Sequence, residues 1–253
     1  MKVYKKLAGC FLAIGIILGL IGISMNGLSQ IKLDTHHVEK YARTFTFGKT
    51  CDVNEEMAID GNSDISIELS AVEAKIVYYD GATLKVEAKN VKRDYTFDND
   101  DGDIDIILEG KSNMTHKPKA TLYIPRHYQF KDADLEINAT SLNMEGIECN
   151  NLSIEHNAGS LTINQVTCHQ GMDVENNAGD VVINNILCKD LDLDNSVGSM
   201  KVSMAESREH YTIDKDGDMS SINIEGGNGV HGENKIEINC DLGNIDVSFK
   251  EVS

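Results

Sequence analysis

A chain of 253 residues, 41% of them hydrophobic, has enough apolar content for one domain with its own core, which argues against wholesale disorder. The formal charge of -18, from 41 acidic against 23 basic side chains, argues against nucleic acid as a partner, because such a surface repels phosphate backbones. Trp is absent and only two prolines occur, Pro118 and Pro125, a bias that suits aliphatic strands needing every backbone N–H.

In chain order, residues 1–6 carry Lys2, Lys5 and Lys6, and an uncharged apolar run follows over residues 7–25. At about 1.5 Å rise per residue that run spans roughly 28 Å, close to the thickness of a bilayer core. It predicts a single transmembrane helix over 7–25 as the membrane anchor. The lysines would stay cytoplasmic, and everything downstream would face outward from the cell membrane. A cleaved signal peptide is the competing reading; Gly22 and Ser24 are small, but no A-x-A pattern is present. Leu7-Ala8-Gly9-Cys10 has the letters of a lipobox, yet its apolar segment follows the cysteine instead of preceding it. Residues 26–60 are polar and charged with little alternation, and read as a juxtamembrane spacer that includes His36 and His37. An extracellular domain is expected over 61–251.

Within that domain, Phe97 to Asp105 is strongly acidic, Lys111 to Lys119 reads as a basic loop, and Ala120 to Ile124 reads as a strand. Asp98 to Asp103 and Asp214 to Asp218 superficially resemble calcium loops of the EF-hand type. Setting Gly102 at the sixth position puts Phe97 first and Leu108 twelfth; setting Gly217 there puts Thr212 first and Asn223 twelfth. Carboxylates belong at the outer positions, so both are read as acidic β-turns.

From residue 135 onward the chain repeats. Leu152 to Ile163, Met172 to Ile183, Leu191 to Val202 and Ile236 to Val247 share one template, and looser copies start at Leu135 and Tyr211. Each copy has two short strands alternating at period two, the pattern of strands with one buried face. Between them stands a turn with Asn, Ser or Asp two residues ahead of Gly159, Gly179, Gly198 or Gly243. Glycine reaches positive φ without a Cβ clash, which suits a corner. A third apolar pair completes most copies: Ile147/Cys149, Val166/Cys168 and Ile186/Cys188. The fold class predicted is all-β, a single-stranded β-solenoid (β-helix) of about 20-residue coils stacked in chain order. The glycine-rich run 226–232, with His231, reads as a loop interrupting the last coils.

Asp64-Ile-Ser-Ile67, Tyr79-Asp-Gly81, Leu84-Lys-Val86, Leu122-Tyr-Ile-Pro125 and the coils ending in Gly159, Gly179 and Gly198 together make the chain resemble a bacterial family known as the "putative adhesin" family. The resemblance covers about residues 61 to 249 and lies in the order and number of the motifs. It implies a membrane-anchored, surface-exposed β-solenoid linked to adhesion or envelope functions. No catalytic residues come with it.

Stacking in register predicts one column of Glu155, Glu175 and Asp194, with Asp173 and Asp192 beside it. Like charges about 4.8 Å apart repel, and a divalent cation would relieve them. Weak calcium binding by these five residues is one expectation and a plainly solvated face the other. Cys149, Cys168 and Cys188 recur at the coil period with inward parity, as an internal thiol ladder or a pair in disulfide range; Cys51 and Cys240 are another conceivable pair. The histidines lack metal-ligand spacing, and no P-loop, nucleophile elbow or dinucleotide fingerprint occurs, so no cofactor and no catalytic site are expected. The function expected is non-enzymatic: a surface module binding a protein or glycan partner. A regulatory, envelope-stress role is the alternative, and a polysaccharide-cleaving β-helix enzyme using a carboxylate pair is a further one.

Overall fold

Period-two alternation turns every second side chain inward, and in the computed structural model it does so in most of the strands. The structure describes residues 49–59, 61–111, 117–126, 128–217, 220–226 and 232–251. The expected anchor over 7–25, its flanking residues 1–6, Cys10, His36 and His37, and His231 lie outside the described residues.

The strands are β1 (Thr50–Ala58), β2 (Asp64–Ser70), β3 (Glu73–Tyr79), β4 (Thr83–Lys92), β5 (Thr96–Asp100), β6 (Asp103–Glu109), β7 (Lys119–Pro125), β8 (Asp132–Asn138), β9 (Thr140–Met144), β10 (Ile147–Cys149), β11 (Asn151–His156), β12 (Gly159–Ile163) and β13 (Val166–Cys168). They continue with β14 (Gly171–Asn176), β15 (Gly179–Leu187), β16 (Asp190–Met204), β17 (Tyr211–Gly217), β18 (Ser221–Ile224) and β19 (Asn234–Ser248). The fold is all-β and β-solenoid-like. Among the described residues, the helical structure is one 3₁₀ turn at Arg208–His210, and no helix is long and apolar enough to cross a membrane.

Parallel, in-register pairing builds the coils. On the first face β8, β11, β14, the first half of β16 and the first half of β19 follow one another, so that Leu135, Ile154, Val174, Leu193 and Ile238 form one inward column. On the second face β9, β12, β15, β16 and β19 stack Leu142, Leu161, Val181, Met200 and Ile245 in the same way. The short third face aligns Ile147, Val166, Ile186 and Met204. All of these residues are buried in one continuous core. Each aliphatic side chain so buried contributes roughly 1.5–3 kcal/mol.

The corner glycines are required by close approach. Gly159, Gly179 and Gly198 have φ of 119°, 125° and 129°, and a Cβ on Gly179 would lie 2.5 Å from the carbonyl oxygen of Gly159.

Four expectations need correction. The coils do not stack in chain order: β19 pairs with β16 from Asp190↔Lys235 to Ser203↔Ser248, and β17 and β18 dock on the far edge of β19. The opposite end is swapped in the same sense, since β2 lies between β6 and β8, and β3 between β7 and β9. A period specifies which residues align but not which coils are neighbours.

Nor is the stack purely single-stranded. β4 runs antiparallel to both β7 and β1, and β5 forms an antiparallel hairpin with β6, which closes that end with strands of reversed direction and covers an otherwise open edge. Residues 50–58, read as the end of the spacer, are β1. As an edge strand it buries only Val53, which is why alternation is faint there. Finally, the acidic segment Asp214–Gly217 is not a turn but part of β17, whereas Asp101 and Gly102 do form the β5–β6 turn at positive φ.

Candidate functional site

The outward residues of the first face share the register of the core beneath them. One row runs Asp134, Ser153, Asp173, Asp192, Glu237 and Asp214; the next runs Glu136, Glu155, Glu175, Asp194, Asn239 and Asp216. The alignment of Glu155 with Glu175 and Asp194, and of Asp173 with Asp192, follows the expected register. Parallel pairing sets successive carboxylates about 4.8 Å apart along a flat surface. The second face differs in character: Ser141, Ser160, Asp180, Ser199 and Asn244 form one of its outward rows. The solenoid therefore has an acidic broad face and a largely neutral one.

Charge crowding leaves a signature. Partial burial, followed by the charges of Asp173 and Glu237, raises the Asp192 carboxyl above its ordinary range. Partial burial, then Asp241 and Glu175, does the same to Asp194. A carboxyl raised in the folded state stabilises the fold only below its unfolded value near 3.8, and that contribution is lost as pH rises. At pH 7 both ionised groups therefore oppose folding. Asp194→Asn should raise stability at pH 7 by about 0.5 kcal/mol after solvent screening, and the gain should shrink in high salt. Urea titrations at low and high salt check this; an unchanged or lowered midpoint in low salt contradicts it.

Along the first carboxylate row lies a shallow groove of about 450 Å³, lined by Asp132, Asn151, Gly171, Asp173, Asp190 and Lys235 among others. Gly171 makes the notch: a Cβ there would find its nearest neighbour, Asn151 Oδ1, at 3.7 Å. Asn151 Nδ2 donates to Asp132 Oδ1 at 2.7 Å, and Lys235 pairs with Glu237. Among the described residues no group of three His, Cys, Asp or Glu side chains is arranged to hold a metal ion. The carboxylates line up one per strand instead of converging.

Beneath the corner runs a buried polar ladder. His156, Asn176 and Asn195 point inward in register and are fully buried. Asn176 Nδ2 donates to Asn195 Oδ1 at 2.6 Å and Asn195 Nδ2 to the Gly198 carbonyl at 3.3 Å. Asn176 Oδ1 thus accepts from His156 Nδ1 at 2.7 Å, leaving Nε2 as a bare acceptor without a partner among the described residues. A second ladder tracks the outside of the same corner, Asn177 to Asn157 to Asn138. The outer ladder uses the turn residues of the repeat. The inner one was missed, although the parity of residues 172, 174 and 176 points straight to it.

Burial pushes the His156 imidazole below its ordinary value, with the Asn176 bond and the Asp180 charge opposing the shift. The unfolded chain then binds a proton near pH 6.5 that the folded chain refuses, so stability falls as pH drops through 6.5. His156→Asn should extend the amide ladder and flatten this dependence between about pH 6.5 and 5. Denaturation midpoints of both proteins across that range are the measurement; parallel curves would rule the assignment out.

The cysteines divide. Cys149 faces Cys168 across β10 and β13, and Cys188 follows above them; all three are buried. Cys51 reaches the Lys92 carbonyl in the β1–β4 pair, whereas Cys240 packs against Asn195 near the other end of the stack, so these two do not meet.

Residues 112–226 match the family described as Toastrack DUF4097. No curated protein matches the chain. Among solved structures it is similar to a "putative cell adhesion protein" from Clostridium sporogenes at 12% identity, covering 79% of this chain and 100% of that one, with a TM-score of 0.38. It is similar also to a "putative adhesin" from Parabacteroides merdae at 11% identity, covering 81% and 98%, TM-score 0.35. Another "putative adhesin", from Parabacteroides distasonis, is 13% identical, covering 80% and 98%, TM-score 0.32. The stretch from 112 to 226, which holds β7 to β18 and most of the regular coils, is similar to Toastrack DUF4097 domains.

Proposed function

We propose that this protein is a non-enzymatic binding module held at the bacterial cell surface by its N-terminal apolar segment, and that it engages a protein or glycan partner through the broad faces of the stack. One observation carries the reading: outward side chains are repeated in register over successive coils, giving two extended surfaces of unlike charge. A flat repeated surface contacts a macromolecule at many points, whereas a catalytic centre needs groups that converge. A weak, diffuse association of calcium with Glu155, Asp173, Glu175, Asp192 and Asp194 belongs to the same proposal. Calorimetry at millimolar calcium that yields no heat would remove it.

The test uses the full-length chain in lipid nanodiscs, presented to a glycan array and to intact cells. Saturable binding that weakens in the Asp173→Asn/Asp192→Asn pair, or in Ser160→Arg on the other face, is the expected result. Absence of binding, together with altered envelope-stress gene expression on deletion, would replace this reading with the regulatory one. Release of reducing sugars from a polysaccharide would replace it with the enzymatic one.

A further inference from the structure

β10 and β13 are parallel and in register, so Cys149 on one coil is the direct neighbour of Cys168 on the next. Their Sγ atoms are 3.8 Å apart, and the two residues are 0% and 2% exposed. Parallel neighbours place their Cα atoms about 4.8 Å apart, inside the roughly 4.4–6.8 Å range that a disulfide spans. A modest rotation about each χ1 brings the sulfurs from contact to bonding distance. Ile147 and Val166, paired in the same two strands, provide a dry apolar floor that a disulfide tolerates as well as two thiols do.

The geometry also selects the pair. Cys188 lies past Leu187, the last residue of β15, and the register with β13 ends at Thr167↔Leu187. Cys149 and Cys168 both lie within paired strands. Once the coil is closed, hydrogen bonding to Cys149 and burial hold Cys168 firmly in its thiol form. Since the thiolate is the reactive species, the bond has to be made before closure.

We propose that Cys149 and Cys168 are joined by a disulfide between successive coils, made by exchange with a disulfide-bearing oxidant while this face of the stack is still open. One cysteine thiolate attacks the oxidant's disulfide, forming a mixed disulfide and releasing one oxidant thiolate. The second cysteine thiolate attacks the protein sulfur of that mixed disulfide, forming the Cys149–Cys168 bond and releasing the other oxidant thiolate. The protein gives up two electrons, the oxidant gains them, and the two cysteine protons end on the two oxidant thiols.

The test folds the reduced full-length chain in detergent with a mixture of oxidised and reduced glutathione, then alkylates it under denaturing conditions and maps it by mass spectrometry. The expected result is two fewer alkylatable thiols than the six cysteines of the chain, with one linked peptide containing Cys149 and Cys168. Reduction should restore all six and lower the melting temperature by several degrees. Cys188→Ala should form the same link. Retention of all six thiols, or a linked peptide joining either residue to a different cysteine, overturns the proposal.

Discussion

Ile183→Asp should unfold the middle of the stack and not merely loosen one coil. Ile183 is wholly buried and pairs with Ile163 on one side and Val202 on the other, so the substitution damages two interfaces at once. Truncating a buried isoleucine costs about 2–5 kcal/mol. A carboxylate adds the penalty of an unpaired charge in the core, again several kcal/mol. Together these approach the whole stability of an ordinary domain, about 5–15 kcal/mol. Circular dichroism should show loss of strand signal at room temperature, or a melting point lower by ten degrees or more. A shift of less than a degree would mean that the inward columns do not hold the coils together.

Gly198→Ala should be nearly as damaging, although it adds only one methyl group. At φ 129° an L side chain is strained by about 1–3 kcal/mol. The new Cβ would also stand 2.1 Å from the carbonyl oxygen of Gly179, which forces the two coils apart at their corner. The combined loss should exceed about 3 kcal/mol, read from the urea midpoint. Gly171→Ala is the control: nothing lies closer than 3.7 Å to a Cβ at that position, and its stability should stay within about 1 kcal/mol of the parent. Equal behaviour of the two variants would show that corner approach is not what demands glycine.

Residue parity made much of the fold legible. Ile154, Val174 and Leu193 share one phase of the repeat and share one buried column; Glu155, Glu175 and Asp194 occupy the other phase and share one exposed row. A coil length that stays close to twenty residues carried the register from coil to coil, so the acidic face and the facing thiols were readable in the sequence. Two kinds of feature were not. Coil order is one: Ile213 stands in a looser copy and Ile236 in a regular one, but neither pattern says which of them neighbours Leu191, and only the long-range pairing of β16 with β19 decides it. Polar residues at inward positions are the other. His156, Asn176 and Asn195 obey the parity, but their chemistry suggests exposure unless a ladder of amides along the stack is considered. In the candidate site, the groove at Gly171 escaped notice because it is made by a missing side chain.

The placement of β19 between β16 and β17 has a consequence for biosynthesis. The ribosome makes β17 and β18 before the strand on which they dock, so neither has a template when it emerges. Translation can add coils one by one from β8 to β16, and then the next segment must wait, solvated, until its successor has slotted in ahead of it. The rate of that last step is governed by a search over a distant segment and not by simple zippering.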